Sequence, residues 1–167
     1  MMKLLCLIFF SLCLYFHFTG CVKPCLRSSN EDEHLGIIAS EFRISSNCFK
    51  LGQSLSYPMV DEFVIDNDSV YKSWIDTSDL FYNPQCSSEV VTPIDFNTYT
   101  LLGKYTEGGC DVQFIREVQK NDDEKMYIYT IGVNECGICK KLQMSWNWVL
   151  VPKLPQGYTV KFIVKSI

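Results

Sequence analysis

DVQFIREVQKNDDEKMYIYTIGV, residues 111–133, places two runs of aromatic and β-branched residues on either side of a polar, acidic stretch. Runs of this kind, bounded by Asn and Asp, read as two strands of a hairpin, Asp111 to Gln119 and Lys125 to Val133. If Asn121 to Glu124 closes the turn, paired residues have numbers summing to about 245. Cys110 then falls opposite residue 135, beside Cys136. A Cys110 to Cys136 cross-strand disulfide is sterically reasonable at that position, given the Cα separation of about 5.5 Å that such bonds prefer. Cys139 would remain to join Cys86 or Cys48.

The same pattern continues on both sides. Tyr99 to Tyr105, Met144 to Val151 and Tyr158 to Lys165 are further strand candidates. Glu107-Gly108-Gly109, Glu135-Cys136-Gly137 and Pro155-Gln156-Gly157 punctuate them as turns. Alternation is clearest at the end, where Val160, Phe162 and Val164 share one face and Lys161 and Lys165 take the other. Upstream, Phe63-Val64-Ile65 is a short strand candidate. Asp66-Asn67-Asp68-Ser69 offers N-caps for a helix over Val70 to about Leu80, with Val70, Trp74, Ile75 and Leu80 as its buried stripe. Asn67-Asp68-Ser69 has the form of a glycosylation sequon, but capping is the better reading. Ile37 to Ile44 fits a strand and Gly52 to Pro58 a loop. The expected fold is mainly β with one short helix, an α+β domain in which an antiparallel meander forms a small barrel or sandwich.

The N-terminal residues 1–20 hold Lys3, then an apolar run from Leu4 to Phe18 without an acid, the layout of a secretory signal. The run is shorter than the about 20 residues that span a bilayer as a helix. It ends in Phe18-Thr19-Gly20-Cys21, which resembles the lipobox of bacterial lipoproteins, with Phe18 in place of the usual Leu. Lipidation would then fall on Cys21, and several acyl chains, palmitate among them, would hold the protein on a membrane where one chain would not. The alternative is an ordinary cleavage near Gly20 that leaves Cys21 a plain cysteine. Residues 21–34 read as a lipidated tether, carrying Pro24, Ser28, Ser29 and the acidic Glu31 to Glu33 with little to bury. Residues 35–167 then form a single β-rich domain whose best-defined core is 61–166.

Without residues 1–20 the chain keeps 147 residues, 14 basic against 19 acidic side chains and a net charge of −5. That size suits one domain with its own core. An acidic chain with no Lys/Arg run lacks the cations whose counterion release drives phosphate binding, so nucleic acid is not an expected partner. Of the nine cysteines, Cys6 and Cys13 lie in the leader and Cys21 at the lipid position. Cys25, Cys48, Cys86, Cys110, Cys136 and Cys139 remain, an even set that in an exported domain reads as disulfides of open connectivity.

Few residues here fit catalysis or a cofactor. Cys136-Gly137-Ile138-Cys139 has thioredoxin spacing, yet a catalytic pair needs a helix N-terminus to lower its thiol pKa. Here Lys140-Lys141-Leu142-Gln143 runs straight into the strand-like Trp146 to Val151. The structural disulfide is the favoured reading, with a thiol-disulfide oxidoreductase as the alternative. No second Cys or His pair at matching spacing supports zinc. His34 is the single histidine after the leader and sits in the tether, so nucleophilic triads have no placed base. Asp61-Glu62 and Asp122-Asp123 read as solvated carboxylates, and Gly108-Gly109 lies between strands rather than before a helix. Trp146 and Trp148 share one face of a strand, with Tyr127 and Tyr129 together on the strand taken as its neighbour. Exposed, these four would form an aromatic strip for a protein partner or a sugar ring; buried, they are core, the commoner outcome.

Phe63-Val64-Ile65-Asp66, a helix with Tyr71 and Trp74, Pro93-Ile94-Asp95-Phe96 before a strand, Gly108-Gly109 opening the next, and Val151-Pro152-Lys153 before the last together resemble the PrcB-like C-terminal domain. The likeness covers roughly residues 61–166. That family includes lipoproteins that stabilise a protease complex at the cell envelope. The resemblance implies a non-enzymatic, lipid-anchored envelope protein, facing periplasm or cell surface, that binds or stabilises a partner protein such as an exported protease. A carbohydrate-binding module using the Trp146 and Trp148 face is a further alternative. This chain departs from the family pattern in its added Cys110, Cys136 and Cys139.

Overall fold

A computed structural model describes residues 34–42, 61–74, 92–109, 112–135 and 142–167. The leader, Cys21, the tether to residue 33 and all six disulfide candidates lie outside the described residues. So do Ile75 and Leu80, two members of the expected helix stripe.

The described elements are β1 (His34–Gly36), β2 (Ser40–Glu41), β3 (Glu62–Ile65), α1 (Asp68–Trp74), β4 (Tyr99–Gly108), β5 (Val112–Asn121), β6 (Met126–Glu135), β7 (Gln143–Pro152) and β8 (Thr159–Ser166). The strands make two four-stranded sheets, β1-β5-β6-β8 (sheet A) and β2-β7-β4-β3 (sheet B). Among the described residues this is the expected β-rich fold with one short helix, built as a sandwich with no closed barrel.

β5 and β6 form the hairpin of residues 112–135. Its turn is one residue further along than expected, because Lys125 adopts a left-handed conformation at φ 50° and belongs to the loop. Asn121 pairs with Met126, the Asn121 side chain accepts from the Glu124 amide at 3.0 Å, and Val112 rather than Cys110 stands opposite Glu135. A displacement of two residues keeps every side chain on its expected face.

A plain meander would be antiparallel throughout, and two pairings differ from it. β8 runs parallel to β6, and β1 parallel to β5. The cause of the first is β7. Trp148, Val149 and Val151 are all buried, and a strand apolar on both sides belongs inside a doubly covered sheet. β7 therefore crosses to the centre of sheet B between β4 and β2, and the chain returns as β8 in the direction of β6. His34, expected in the tether, is the first residue of β1. Of the strand expected over Ile37 to Ile44, residues 43 and 44 lie outside the described residues and only Ser40–Glu41 of the rest is strand, Ile37 to Ala39 forming a corner after β1. That corner joins the sheets at one side: the Ile37 amide donates to the Val118 carbonyl of sheet A, and the Ala39 amide to the Leu150 carbonyl of sheet B.

Two cores result. Between the sheets lie Leu102, Phe114, Val118, Tyr127, Tyr129, Ile131, Val133, Val149 and Val151. On the far face of sheet B lie Phe42, Phe63, Ile65, Tyr71, Phe96, Leu101 and Trp148, capped by α1. Asn67 caps that helix through its side chain, which accepts from the Val70 amide at 2.8 Å, so the capping reading of Asn67-Asp68-Ser69 holds. Tyr71, not Val70, faces inward: Tyr71 is 2% exposed and Val70 38%. Trp74 packs edge-on against Phe63 at 5.0 Å, as the stripe required.

Candidate functional site

Trp146 and Trp148 do share a face of β7, their rings stacked at 5.5 Å. An exposed strip shared with Tyr127 and Tyr129 does not form, and the commoner outcome, core, holds instead, because β6 lies in the opposite sheet and is not a neighbour of β7. Trp148 is 4% exposed, Tyr127 2% and Tyr129 0%, so three of the four are core side chains. Trp146 is half-buried between Phe63, Tyr105 and Trp148. These residues hold the α1 layer to sheet B and provide no exposed aromatic platform.

A polar chain that no sequence motif announced runs through the sandwich. Arg116 of β5 donates from Nε to Asn147 Oδ1 of β7 at 2.9 Å and from Nη1 to the Glu41 carboxylate of β2 at 2.7 Å. Asn147 in turn donates from Nδ2 to Thr106 Oγ1 at 2.6 Å, and the Tyr129 hydroxyl donates to the Asn147 carbonyl at 3.2 Å. Asn147 is fully buried and Arg116 6% exposed. Burial pushes the Tyr129 hydroxyl far above the usual phenol range, so it stays a donor. Among the described residues no buried side-chain polar atom lacks a partner. Every member is spent on another, which makes the chain a tie between sheets rather than a site facing substrate. A signal was present: Arg116 falls on the inward alternation between Phe114 and Val118, and Asn147 on that of Val149 and Val151.

The carboxylates of Asp61, Glu62, Asp95 and Asp122 are solvated or support the scaffold. Asp61 and Glu62 accept from Lys104 Nζ at 2.6 and 3.0 Å. Burial alone would depress the Lys104 ammonium, but these two acids raise it overall. Asp95 sits below the usual carboxylate range because it accepts from the Thr98 hydroxyl and the Asn97 amide, closing the turn into β4. Asp122 is likewise lowered by Lys120 and by the Tyr158 hydroxyl. Among the described residues no group of His, Cys, Asp or Glu is arranged to hold a metal ion.

What distinguishes the two sheets is their outer faces. Sheet B is covered on both sides. Among the described residues no helix or strand packs across the outer face of sheet A, which the pairing register lays out in rows. Leu35, Glu117, Thr130 and Ile163 form one row; Gln119, Ile128 and Lys161 the next; Ile115, Gly132 and Lys165 a third. Ile115, Ile128 and Ile163 are half-buried only, and Leu35 is 41% exposed. Ile167 lies over Gly132, where an added Cβ would stand 2.9 Å from its Cδ1. Isoleucines framed by Lys161, Lys165 and Glu117 make a face suited to a protein surface.

Compared with models of protein families, with curated proteins and with solved structures, the chain matches none.

Proposed function

We propose that this domain is the partner-binding unit of a bacterial lipoprotein, held by lipid on Cys21 at the envelope, and that it binds or stabilises another protein without doing chemistry itself. The observation that carries the reading is the asymmetry of the sandwich: among the described residues one sheet is covered on both faces, while the other leaves Ile115, Ile128 and Ile163 beside Lys161 and Lys165 on an open face. An exported protein with an acidic surface and a half-apolar, charge-rimmed face has the composition of a surface that meets another protein. The leader pattern of residues 1–20 and the Cys21 lipobox support the address, and the resemblance to the PrcB-like domain favours an exported protease as the partner. The interior chain of Arg116, Asn147 and Glu41 serves to hold this face rigid.

The test has two arms. Intact mass of the protein extracted from native membranes is expected to fit loss of residues 1–20 with acyl chains on Cys21, and Cys21→Ser is expected to move it to the soluble fraction. Crosslinking in the envelope is expected to recover a discrete protein partner with the native chain and to lose it with Ile128→Asp. An unprocessed leader defeats the address, and recovery of no partner defeats the binding role.

A further inference from the structure

The four edges of the two sheets are unequal. β1, β2 and β3 contribute three, two and four residues, while β8 contributes eight. Native sheets keep exposed edges short, because an unpaired strand is a template for another chain. β8 pairs with β6 on one side, and among the described residues no strand pairs with its other side. Its outer face presents Lys161, Ile163 and Lys165 in succession, with both lysines exposed and Ile163 half-buried. Lys72, Lys104, Lys120 and Arg116 each pair with a carboxylate. Lys161 and Lys165 do not pair with one among the described residues. The nearest acid on that face, Glu117, is two strands away and already accepts from Gln119 at 2.6 Å.

On the strength of the binding role proposed above, we infer that the β8 edge takes up an extended acidic segment of the partner protein as a fifth strand of sheet A. Backbone amides and carbonyls supply the affinity, and alternate side chains supply the selectivity. Two carboxylates four residues apart on the added strand meet Lys161 and Lys165, and an apolar side chain midway between them meets Ile163. Because cross-strand neighbours are set by a period of two, this selection holds whether the added strand runs parallel or antiparallel. A second copy of this chain fits poorly. Antiparallel pairing of two β8 strands centred on Ile163 sets Lys161 against Lys165 of the other copy at both ends.

The test uses the full processed protein and a short fluorescein-labelled peptide repeating Glu-Thr-Val-Thr, which sets Glu, Val and Glu in succession on one face of an extended strand, read by fluorescence anisotropy. The peptide is expected to bind, and the double substitution Lys161→Glu, Lys165→Glu to weaken it about tenfold, from cross-strand attraction turned to repulsion. The same peptide with Lys in place of every Glu is expected to bind the native protein at least as weakly as the acidic peptide binds the double variant. N-methylation of alternate peptide amides, which removes backbone donors without changing charge, is expected to abolish binding. Equal binding of the methylated peptide would overturn strand addition, as would an unchanged affinity in the double variant. Circular dichroism of that variant checks its fold, and surface lysines of an edge strand are expected to leave it intact. Should crosslinking still recover the envelope partner while the double variant retains it fully, the binding role stands and the β8 edge is not its seat. Should no partner be recovered while the acidic peptide binds, the failure lies with the binding role.

Discussion

No methyl group can be placed on Gly103 without entering Trp148: an ideal Cβ there lies 2.1 Å from the indole Cζ3. The two residues are paired across β4 and β7, and the indole lies flat on the glycine. This lets Trp148 stack on Trp146 and meet Phe63 at 5.7 Å beneath α1. Gly103→Ala is expected to destabilise the domain by about 1–3 kcal/mol, the usual cost of forcing volume into a packed core. Urea unfolding followed by tryptophan fluorescence checks it, and the near-ultraviolet signal of the stacked pair is expected to change in the native baseline.

Asn147 joins the two sheets at the centre of the polar chain, so Asn147→Ala removes partners from Arg116 Nε and Thr106 together. A loss of about 2–4 kcal/mol is expected, the cost of buried polar groups that lose their bonds. Glu41→Ala is expected to cost less, because the Glu41 side chain is 22% exposed and water can replace it. Glu41→Gln is expected to fall nearer the native protein, since its amide oxygen can still accept from Arg116. Denaturation midpoints of the three variants give the order.

Alkaline pH offers a test of the α1 layer. Burial raises the Tyr71 hydroxyl from 10.0 to about 12, and Asp68 adds to the rise. The folded state therefore holds this proton more tightly than the unfolded state. The stability it contributes is whole below pH 10 and is lost as pH climbs from 10 towards 12. Thermal unfolding measured across that window is expected to show a falling midpoint with a shallower slope in Tyr71→Phe. An equal slope in the variant would place the loss elsewhere.

The N-cap gives a smaller effect. Asn67→Ala removes the side-chain acceptor for the Val70 amide and is expected to cost about 1 kcal/mol, while Asn67→Asp is expected to be tolerated. Chemical denaturation distinguishes the two.

Much of the fold could be read from the chain because its strongest signals are local. Alternation in β5, β6 and β8 and the cap at Asn67 depend only on near neighbours, and these features are in place. The sheet to which each strand belongs is a long-range decision, and local pattern left it open. β7 carries an apolar side chain at nearly every position from Trp146 to Val151, which marks a doubly covered strand, whereas succession along the chain alone sets it beside β6. An exposed strip of Trp146, Trp148, Tyr127 and Tyr129 needs that neighbour, and without it Trp148, Tyr127 and Tyr129 are core, the commoner of the two outcomes. The hairpin register depended on one residue, Lys125, whose left-handed backbone no side-chain preference announces. The open face of sheet A could not be seen at all before the pairing was known, since its rows draw Leu35, Ile115, Ile128 and Ile163 from four strands.

Site-by-site photocrosslinking in the living envelope tests the central claim most directly. A photoreactive residue at Thr130 or Ile128, on the open face of sheet A, is expected to give one discrete adduct with a protein partner. The same group at Val70 or Lys72, on the exposed side of α1, is expected to give none. Equal capture from both sides, or capture from α1 alone, would contradict the assignment of sheet A as the binding face.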